Sequence, residues 1–325
     1  MTEESSSFVH SERFVDSDAS GTRLCVHTWE ACEQSDCAKG RKKKSAIAVI
    51  VHGYGAHSCY PTVSLAAEKL IVDNNNVGVC YAVDFAGFGK SEGLRGYIPS
   101  SESLVRDLQQ LVALARDEQT QKQTGGGKKR KQKVFLVGSS LGGAISILFA
   151  LQARDSMNNA TVNIDGLVLL APMLSIPNVS TVEEYGLLAL SFIAGSWALI
   201  PSNASNNEKQ YKDPIIREKC ENDNLSYGGY LRVQTARVCL EICSLLCKEA
   251  HKLTTPFLLI MGSKDVVVDP KRAEWMMDET TLVDSKNKTL MIIEDALHGL
   301  LCEHLETRER IMKTVSNWIE EKSTT

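Results

Sequence analysis

The stretch VFLVGSSLGGAISILFA, residues 134–150, runs from apolar residues typical of a buried strand, through glycines and serines, into the small residues of a helical pattern. Residues 138–142, GSSLG, fit the pattern G-x-S-x-G, in which the serine occupies a sharp strand-to-helix turn with its hydroxyl exposed. Glycines two positions before and after the serine let the two backbones approach closely. The pattern alone is weak, but the strand at 134–137 and the helix at 144–151 are the neighbours that it requires. Ser140 is therefore the candidate nucleophile.

A serine hydroxyl is a poor nucleophile at its ordinary pKa and needs an adjacent base that a third group orients. In a triad built on this kind of turn, the acid and then the histidine follow the serine along the chain, each after a strand. Asp265 follows the run FLLIMGSK, and His298 follows LMIIEDAL. Asp269 lies one turn further from its strand, and His304 lies among charged residues, so both are weaker candidates. Taken singly, Asp265 could be a loop cap and His298 a surface histidine, but their order favours a catalytic triad.

An acyl-transfer site also needs backbone N–H groups directed at the oxyanion of the tetrahedral intermediate. One is expected from Leu141, at the start of the helix after the nucleophile. The other is expected from HGYGAH, residues 52–57, which follows the strand AIAVIV and whose glycines let the backbone turn beneath the substrate. Within this loop, the N–H of Tyr54 is the candidate donor.

The rest of the chain alternates between buried strands and helices. Residues 13–30 predict an antiparallel hairpin with its turn at 19–21. The nearly continuous apolar runs AIAVIVHG and VGVCYAVD are typical of parallel strands covered by helices on both faces. Further strands are expected at 134–137, 166–170, 257–261 and 290–293, with helices near 62–73 and 101–117. This alternation predicts an α/β fold with a mostly parallel, doubly wound sheet.

The alternation fails at residues 173–234, which are long, irregular and rich in asparagine. We expect this segment to be a cap inserted into the sheet domain. The chain would then consist of an N-terminal core part (1–172), the cap (173–234) and a C-terminal core part (235–325).

The cap contains the charge-free run GLLALSFIAGSWALI, residues 186–200. Its 15 residues fall short of the roughly 18 to 20 needed to span a bilayer. A helix that is apolar on most sides is more often buried, or covers an apolar pocket. We therefore expect Leu188, Phe192 and Leu199 to form part of a lid over the acyl chain.

Composition gives little information about the substrate. With 36 basic and 40 acidic residues among 325, the chain gives no reason to expect nucleic acid as a main partner. The first residues, MTEESSSFVHSERF, lack the basic start and apolar core of a secretory signal, so a cytoplasmic location is expected. The ten cysteines are then expected to be reduced thiols, and the N-x-S/T triplets at Asn178 and Asn203 to be chance matches.

Cys239, Cys243 and Cys247 lie four residues apart and could share one face of a helix. The spacing is open to a metal interpretation, but the partner pattern of a zinc site is missing. We therefore expect three small apolar side chains facing the core.

Two basic runs, KGRKKK (39–44) and GGGKKRKQK (125–133), hold ten of the 36 basic residues and no acidic ones. Solvated loops are the simpler interpretation, although nuclear targeting and an anionic partner surface remain alternatives. Each run directly precedes a parallel strand, so both are expected at the edge opposite to the one where open α/β sheets bind ligands.

The segments VHGYGAH, YAVDFAGFGKSEGLRGYIPS, GSSLGGA, GSKDVVVDP and LHGLL together resemble the monoacylglycerol lipase and lysophospholipase-like branch of the α/β-hydrolases. The resemblance extends over residues 13–319, and YIPS is similar to plant members of the caffeoylshikimate esterase type. It implies the α/β-hydrolase fold, Ser140 as nucleophile, His298 as general base, Asp265 as its orienting acid, and Tyr54 and Leu141 as oxyanion donors.

The resemblance implies a serine hydrolase that cleaves a single-chain acyl ester and needs neither a cofactor nor a metal ion. Monoacylglycerol lipases commonly carry an acidic residue where this chain has Ala56, so glycerol recognition stays open. Alternatives are an esterase of small or aromatic acyl esters, a thioesterase or peptidase of the same fold, and a non-catalytic ligand receptor. Oligomeric state and peripheral membrane contact through the cap are also left open.

Overall fold

Eight strands form one mixed sheet in the computed structural model, which describes residues 7–32, 46–122, 132–155, 163–176, 181–202 and 206–324. They are β1 (Phe8–Asp16), β2 (Arg23–Ala31), β3 (Ala46–Val51), β4 (Val77–Val83), β5 (Val134–Ser139), β6 (Gly166–Leu170), β9 (Phe257–Gly262) and β10 (Lys288–Ile293). The strand order is β1-β2-β4-β3-β5-β6-β9-β10, with β1, β2 and β4 antiparallel in turn and all other pairs parallel. The expected α/β-hydrolase fold with its N-terminal hairpin is confirmed.

The central strands are buried on both faces. Every residue of β3, β5 up to Gly138, β6 and β9 is buried, as their continuous apolar sequences predict for parallel strands between two helical layers. No residue of the outer strand β1 is buried: Phe8, Arg13 and Val15 are half-buried and the other six residues are exposed.

Nine α-helices surround the sheet or extend from it in the described residues. They are α1 (Pro61–Asp73), α2 (Ser101–Lys122), α3 (Leu141–Asp155), α4 (Thr181–Ala194), α5 (Asn207–Gln210), α6 (Pro214–Glu221), α7 (Val233–Glu249), α8 (Lys271–Glu279) and α9 (Leu305–Thr324). Short 3₁₀ helices lie at Ala250–Lys252, Ser285–Asn287 and Leu300–Cys302. The helices expected near 62–73 and 101–117 are present, the second extending five residues further.

The segment expected as a cap folds outside the main sheet. It contains α4, α5, α6 and a separate two-stranded sheet of β7 (Ala198–Ile200) and β8 (Leu231–Arg232). Its last helix, α7, begins at Val233, so the expected boundary at 234/235 falls within the first turn of that helix.

The expected burial of the apolar cap run is wrong. In α4, Phe192 is 81% exposed and Ile193 is 86% exposed, and Leu188 of the same helix and Leu199 of β7 are also exposed. An apolar sequence indicates that a helix face gains free energy by leaving water, but it does not show whether protein, lipid or another molecule covers that face. A buried helix and an exposed apolar helix can therefore have similar sequences. Among the described residues, no helix is both long enough and apolar enough to cross a membrane.

Of the three cysteines expected to face the core, two are buried. Cys239 and Cys243 are buried in α7, and burial raises the pKa of each thiol to about 12. Cys247 is exposed, because it lies at the end of the helix, where its sulfur accepts a hydrogen bond from Arg272 at 3.4 Å. The basic run at 39–44, most of the run at 125–133, Asn178 and Asn203 lie outside the described residues.

Candidate active site

Ser140 occupies the turn between β5 and α3 with a backbone φ of 53°. This left-handed region is costly for a residue with a Cβ, so the surrounding structure must hold it in place. Its N–H donates to the carbonyl of Leu170 at 3.0 Å, and its own carbonyl accepts from Met173 at 3.0 Å and Ala144 at 3.2 Å. The turn is therefore fastened on both sides, to β6 and to the segment after it.

Glycines around the turn allow contacts that a side chain would prevent. A Cβ at Gly142 would overlap the carbonyl oxygens of Val51 and His52, and one at Gly138 would lie 2.5 Å from the carbonyl oxygen of Gly142. Helix α3 therefore starts directly against the end of β3. This is the close strand–helix approach that the sequence pattern predicts.

We expect Gly142→Ala to lower the free energy of unfolding by about 1–3 kcal/mol, since the overlap is with backbone atoms that cannot rotate away. The matched control is Gly186→Ala in α4, where an added Cβ meets nothing within 4 Å. That control should raise the free energy of unfolding by about 0.5–1 kcal/mol through helix propensity. Urea unfolding of both variants is the measurement. Equal stability of Gly142→Ala and wild type would contradict the packing described here.

His298 and Asp265 form a buried hydrogen-bonded pair. The Nδ1 of His298 lies 2.7 Å from Oδ2 of Asp265, and both residues are buried. The other oxygen of Asp265 accepts the N–H groups of Val267 at 2.8 Å and Val268 at 3.0 Å, which fixes the carboxylate. Because the carboxylate can only accept, Nδ1 carries the proton and Nε2 is left as the basic nitrogen.

The two weaker candidates have other surroundings. Asp269 accepts the N–H of Lys271 at 3.1 Å at the start of α8, and His304 is exposed just before α9. Asp269 therefore holds the backbone just before and at the start of α8.

One cavity brings the candidate residues together. Ser140, His298 and Tyr54 all line it, along with Gly53 of the same loop as Tyr54. Leu141, the first residue of α3, directly follows Ser140 and is buried. Among the described residues no hydrogen bond joins the Ser140 hydroxyl to His298. Such contacts are often long before a substrate binds.

The loop 52–57 lies directly against the serine turn. A Cβ on Gly53 would be 3.2 Å from both the Ser139 carbonyl oxygen and the Ser140 Cβ. Within the loop, His52 accepts the N–H of Phe85 through Nε2 at 3.1 Å, and its Nδ1–H donates to the Gly53 carbonyl at 2.8 Å. Burial lowers the pKa of His52 to about 4, so it is neutral near pH 7 and serves as a fixed bridge.

Sequence reasoning missed two cavity residues, Tyr60 and Tyr211. Their hydroxyls lie 3.1 Å apart, and burial raises the pKa of both, so both stay protonated. The ring of Tyr211 occupies the space that a Cβ on Gly299 would fill, directly after His298. Tyr60 lies three residues after the glycine loop 52–57, so its position in the sequence could have indicated that it is near the site. Tyr211 lies in the irregular segment 173–234, where the sequence gives no such indication.

The same irregular segment is fastened to the glycine loop. Nε2 of His57 lies 2.9 Å from the Asp223 carboxylate, and the Tyr227 N–H donates to the Gly55 carbonyl at 2.7 Å. Gly55 has φ 79°, and a Cβ there would lie 2.7 Å from the Tyr227 carbonyl oxygen.

Comparison with known proteins agrees with this architecture. A family model described as Hydrolase_4, serine aminopeptidase S33, matches residues 42–304. Human monoglyceride lipase is 29% identical over 291 residues, covering 86% of this chain and 84% of the human protein. Caffeoylshikimate esterase of Arabidopsis thaliana is 26% identical over 276 residues, covering 83% and 76%. A crystal structure of a soluble variant of Saccharomyces cerevisiae monoglyceride lipase with a substrate analogue superposes with a TM-score of 0.78 at 17% identity, covering 98% and 97%.

The fold and the matches define an α/β-hydrolase, and the chain belongs to the Hydrolase_4 family. The resemblance to the monoacylglycerol lipase-like branch is confirmed, and the protein is a carboxylic ester hydrolase.

We expect Asp265→Asn to lower kcat by about four orders of magnitude, because an amide can donate to Nδ1 and so select the wrong tautomer of His298. The control is Asp269→Asn, which should keep turnover near wild type because that carboxylate accepts the N–H of Lys271 at the start of α8 and is not bonded to His298. Turnover of a soluble ester and thermal stability should be measured for both. A loss in Asp269→Asn comparable to that in Asp265→Asn would contradict the assignment.

Proposed function

We propose that Ser140, His298 and Asp265 form a catalytic triad that cleaves esters through an acyl-enzyme. The observation that carries this proposal is the buried 2.7 Å His298–Asp265 pair, with His298 on the wall of the cavity that Ser140 also lines. The hydroxyl of Ser140 attacks the ester carbonyl while Nε2 of His298 accepts its proton. That proton then passes to the leaving alcohol, and water attacks the acyl-enzyme with the same base.

The N–H groups of Tyr54 and Leu141 are the proposed donors to the oxyanion. Tyr54 lies in the loop packed on the Ser140 turn, and Leu141 begins α3 at the positive end of the helix dipole. Removing one such donor typically costs about 10²–10³ in kcat, so the fixed position of this loop matters to the rate.

The proposed substrate is a monoacylglycerol or lysophospholipid-type single-chain ester. Support comes from the monoglyceride lipases among the relatives and from apolar lining residues such as Val63, Leu170 and Leu301. The caffeoylshikimate esterase relative supports an alternative, an ester of a small or aromatic acid. Ala56 favours neither, since it removes the acidic group common in monoacylglycerol lipases without adding an aromatic one.

We propose that residues 173–234 act as the cap of a core made of 1–172 and 235–325. The placement of Tyr211 on the cavity wall supports this division, as do the contacts of Asp223 and Tyr227 with the glycine loop. The apolar run at 186–200 contributes no lining residue to the described cavity. The expectation that Leu188, Phe192 and Leu199 roof the acyl chain is therefore corrected, because their side chains face solvent.

The function is tested by probe labelling and by a substrate panel. A fluorophosphonate probe should label the wild type and Ser139→Ala but not Ser140→Ala, because the label reports which serine is nucleophilic. The wild type should then hydrolyse monoacylglycerols and lysophospholipids with a higher kcat/KM than feruloyl or caffeoyl esters. Labelling of Ser140→Ala would refute the nucleophile, and a preference for the aromatic esters would refute the lipid substrate.

We further propose that the exposed apolar side chains of α4 contact membranes. Because burying a Phe or Ile side chain is worth about 1.5–3 kcal/mol, Phe192→Ser and Ile193→Ser should each weaken binding to phosphatidylcholine vesicles about tenfold or more. The control is Leu282→Ser, an exposed leucine outside the cap. Sedimentation with vesicles gives the partition coefficient, and hydrolysis of a soluble ester should be unchanged. Unaltered vesicle binding in both α4 variants would exclude this surface.

A further inference from the structure

Two histidines and a cysteine meet beside the N-terminal hairpin, away from the proposed triad. Nδ1 of His27 lies 3.2 Å from Nε2 of His10 and 3.3 Å from Sγ of Cys59, and Cys59 Sγ lies 3.8 Å from His10 Nε2. His10 is on β1, His27 on β2, and Cys59 is in the loop that leads into α1. Three potential metal ligands from three separate segments thus converge on one point.

The strand register explains how the two imidazoles come together. His10 pairs with Trp29 across the hairpin, and Trp29 and His27 lie two residues apart on β2, so all three rings are on one face. The His10 ring stacks on Trp29 with centroids 4.6 Å apart, and it lies nearly parallel to the His27 ring with centroids 5.4 Å apart. This stacking holds the exposed His10 ring with Nε2 directed at His27.

The three separations match those around a tetrahedral zinc ion. Zinc bonds of about 2.0–2.1 Å to nitrogen and about 2.3 Å to sulfur place two nitrogen ligands about 3.3 Å apart, and a nitrogen and a sulfur about 3.6 Å apart. The observed nitrogen–nitrogen separation is 3.2 Å, and the two nitrogen–sulfur separations, 3.3 and 3.8 Å, lie on either side of the ideal value. The ligand separations therefore suit a zinc ion, and the two nearly parallel imidazole rings must tilt for both nitrogens to point at it.

The second ring nitrogen of His27 faces a carboxylate, as is usual for histidines that bind a metal ion. Its Nε2 lies 3.4 Å from Oδ2 of the fully buried Asp84. A carboxylate that accepts the other ring N–H fixes the tautomer of a ligating histidine and raises its basicity. Asp84 is itself held by the N–H groups of Ser58 at 2.7 Å and Lys90 at 2.8 Å, so its position does not depend on His27 alone.

We propose that Nε2 of His10, Nδ1 of His27 and Sγ of Cys59 bind a divalent zinc ion, with water as the fourth ligand. Two nitrogens and one thiolate are the donor set of a borderline-soft ion and not of magnesium or calcium. Since His10 is exposed and Cys59 half-buried, solvent reaches the open coordination position. The ion would tie the hairpin to the segment that follows the glycine loop 52–57.

Binding must displace protons, because only the thiolate and the free imidazole nitrogens can ligate. Burial and the nearby His27 lower the pKa of His10. For His27, burial is outweighed by hydrogen bonds to Asp84, Cys25 and Cys59, which raise its pKa to about 12.

A second group of possible metal ligands also includes His27, so the two candidate sites must be distinguished. Glu12, Cys25 and His27 also converge, with Cys25 Sγ 3.3 Å from His27 Nε2. That set would take Nε2 away from Asp84 and Glu12 away from Lys90, whose ammonium lies 2.6 Å from its carboxylate. The set with Cys59 breaks neither contact, so it is the one proposed.

The experiment uses the full chain, stripped of metal with a chelator and titrated with Zn²⁺, with Co²⁺ as an optical probe and Mg²⁺ as a hard-ion control. Wild type should bind one equivalent of Zn²⁺, and Co²⁺ should give thiolate charge-transfer absorption and the intense bands of a four-coordinate ion. His10→Ala and Cys59→Ser should each bind zinc at least about tenfold more weakly, and Cys59→Ser should lose the charge-transfer band.

The matched controls are Glu12→Gln, which removes a ligand of the rival set, and Cys247→Ser, which removes an exposed thiol elsewhere. Both should bind Zn²⁺ as wild type does. Circular dichroism confirms folding, and His10→Gln replaces His10→Ala if the alanine variant misfolds. Full zinc affinity in His10 and Cys59 variants that fold, or loss of affinity in Glu12→Gln with Cys59→Ser unaffected, would overturn the proposal.

Discussion

The backbone turn at Ser140 is the constraint on which the rest of the site depends. A non-glycine residue at φ 53° persists only because three backbone hydrogen bonds fasten it to β6, to α3 and to the segment after β6. The same turn sets where α3 begins, and α3 fits against β3 only because Gly142 has no side chain. The same turn therefore determines both how α3 packs against the sheet and where the Ser140 hydroxyl lies.

The His298–Asp265 pair reaches that turn from the other half of the sheet. Asp265 follows β9 and His298 follows β10, and these parallel strands are neighbours with β9 next to β6. Parallel strands end at a common edge, so residues far apart in sequence meet above the same edge. This agrees with the structure, in which His298 is hydrogen-bonded to Asp265, whereas Asp269 accepts the N–H of Lys271.

Sequence patterns were informative where each residue's environment is decided locally or by the sheet. The bounds of β6 are those expected, and the strand–glycine–helix run at 134–150 folds as its pattern predicts.

The position of Tyr211 could not be predicted from local sequence patterns, because it depends on how the irregular segment packs against Gly299. The predicted burial of Phe192 was wrong, because the apolar character of a side chain does not show whether protein, lipid or another chain covers it. The proposed ligands His10 and His27 were not predicted from the sequence, because only the strand register and the approach of Cys59 bring them together.

The glycine loop 52–57 is held from three directions, and this matters for catalysis. Gly53 packs on the Ser140 turn, Gly55 and His57 are bound by the proposed cap, and the residue after His57 donates its N–H to Asp84, which also faces His27 of the hairpin. An oxyanion donor lowers the barrier only if it is already oriented when charge develops, so freedom in this loop would cost rate. These contacts come from different parts of the chain and include one backbone hydrogen bond, from Tyr227 to Gly55, and side-chain contacts of Asp223 and Asp84. The hairpin meets this loop away from the cavity, whereas the proposed cap both holds the loop and lines the cavity through Tyr211.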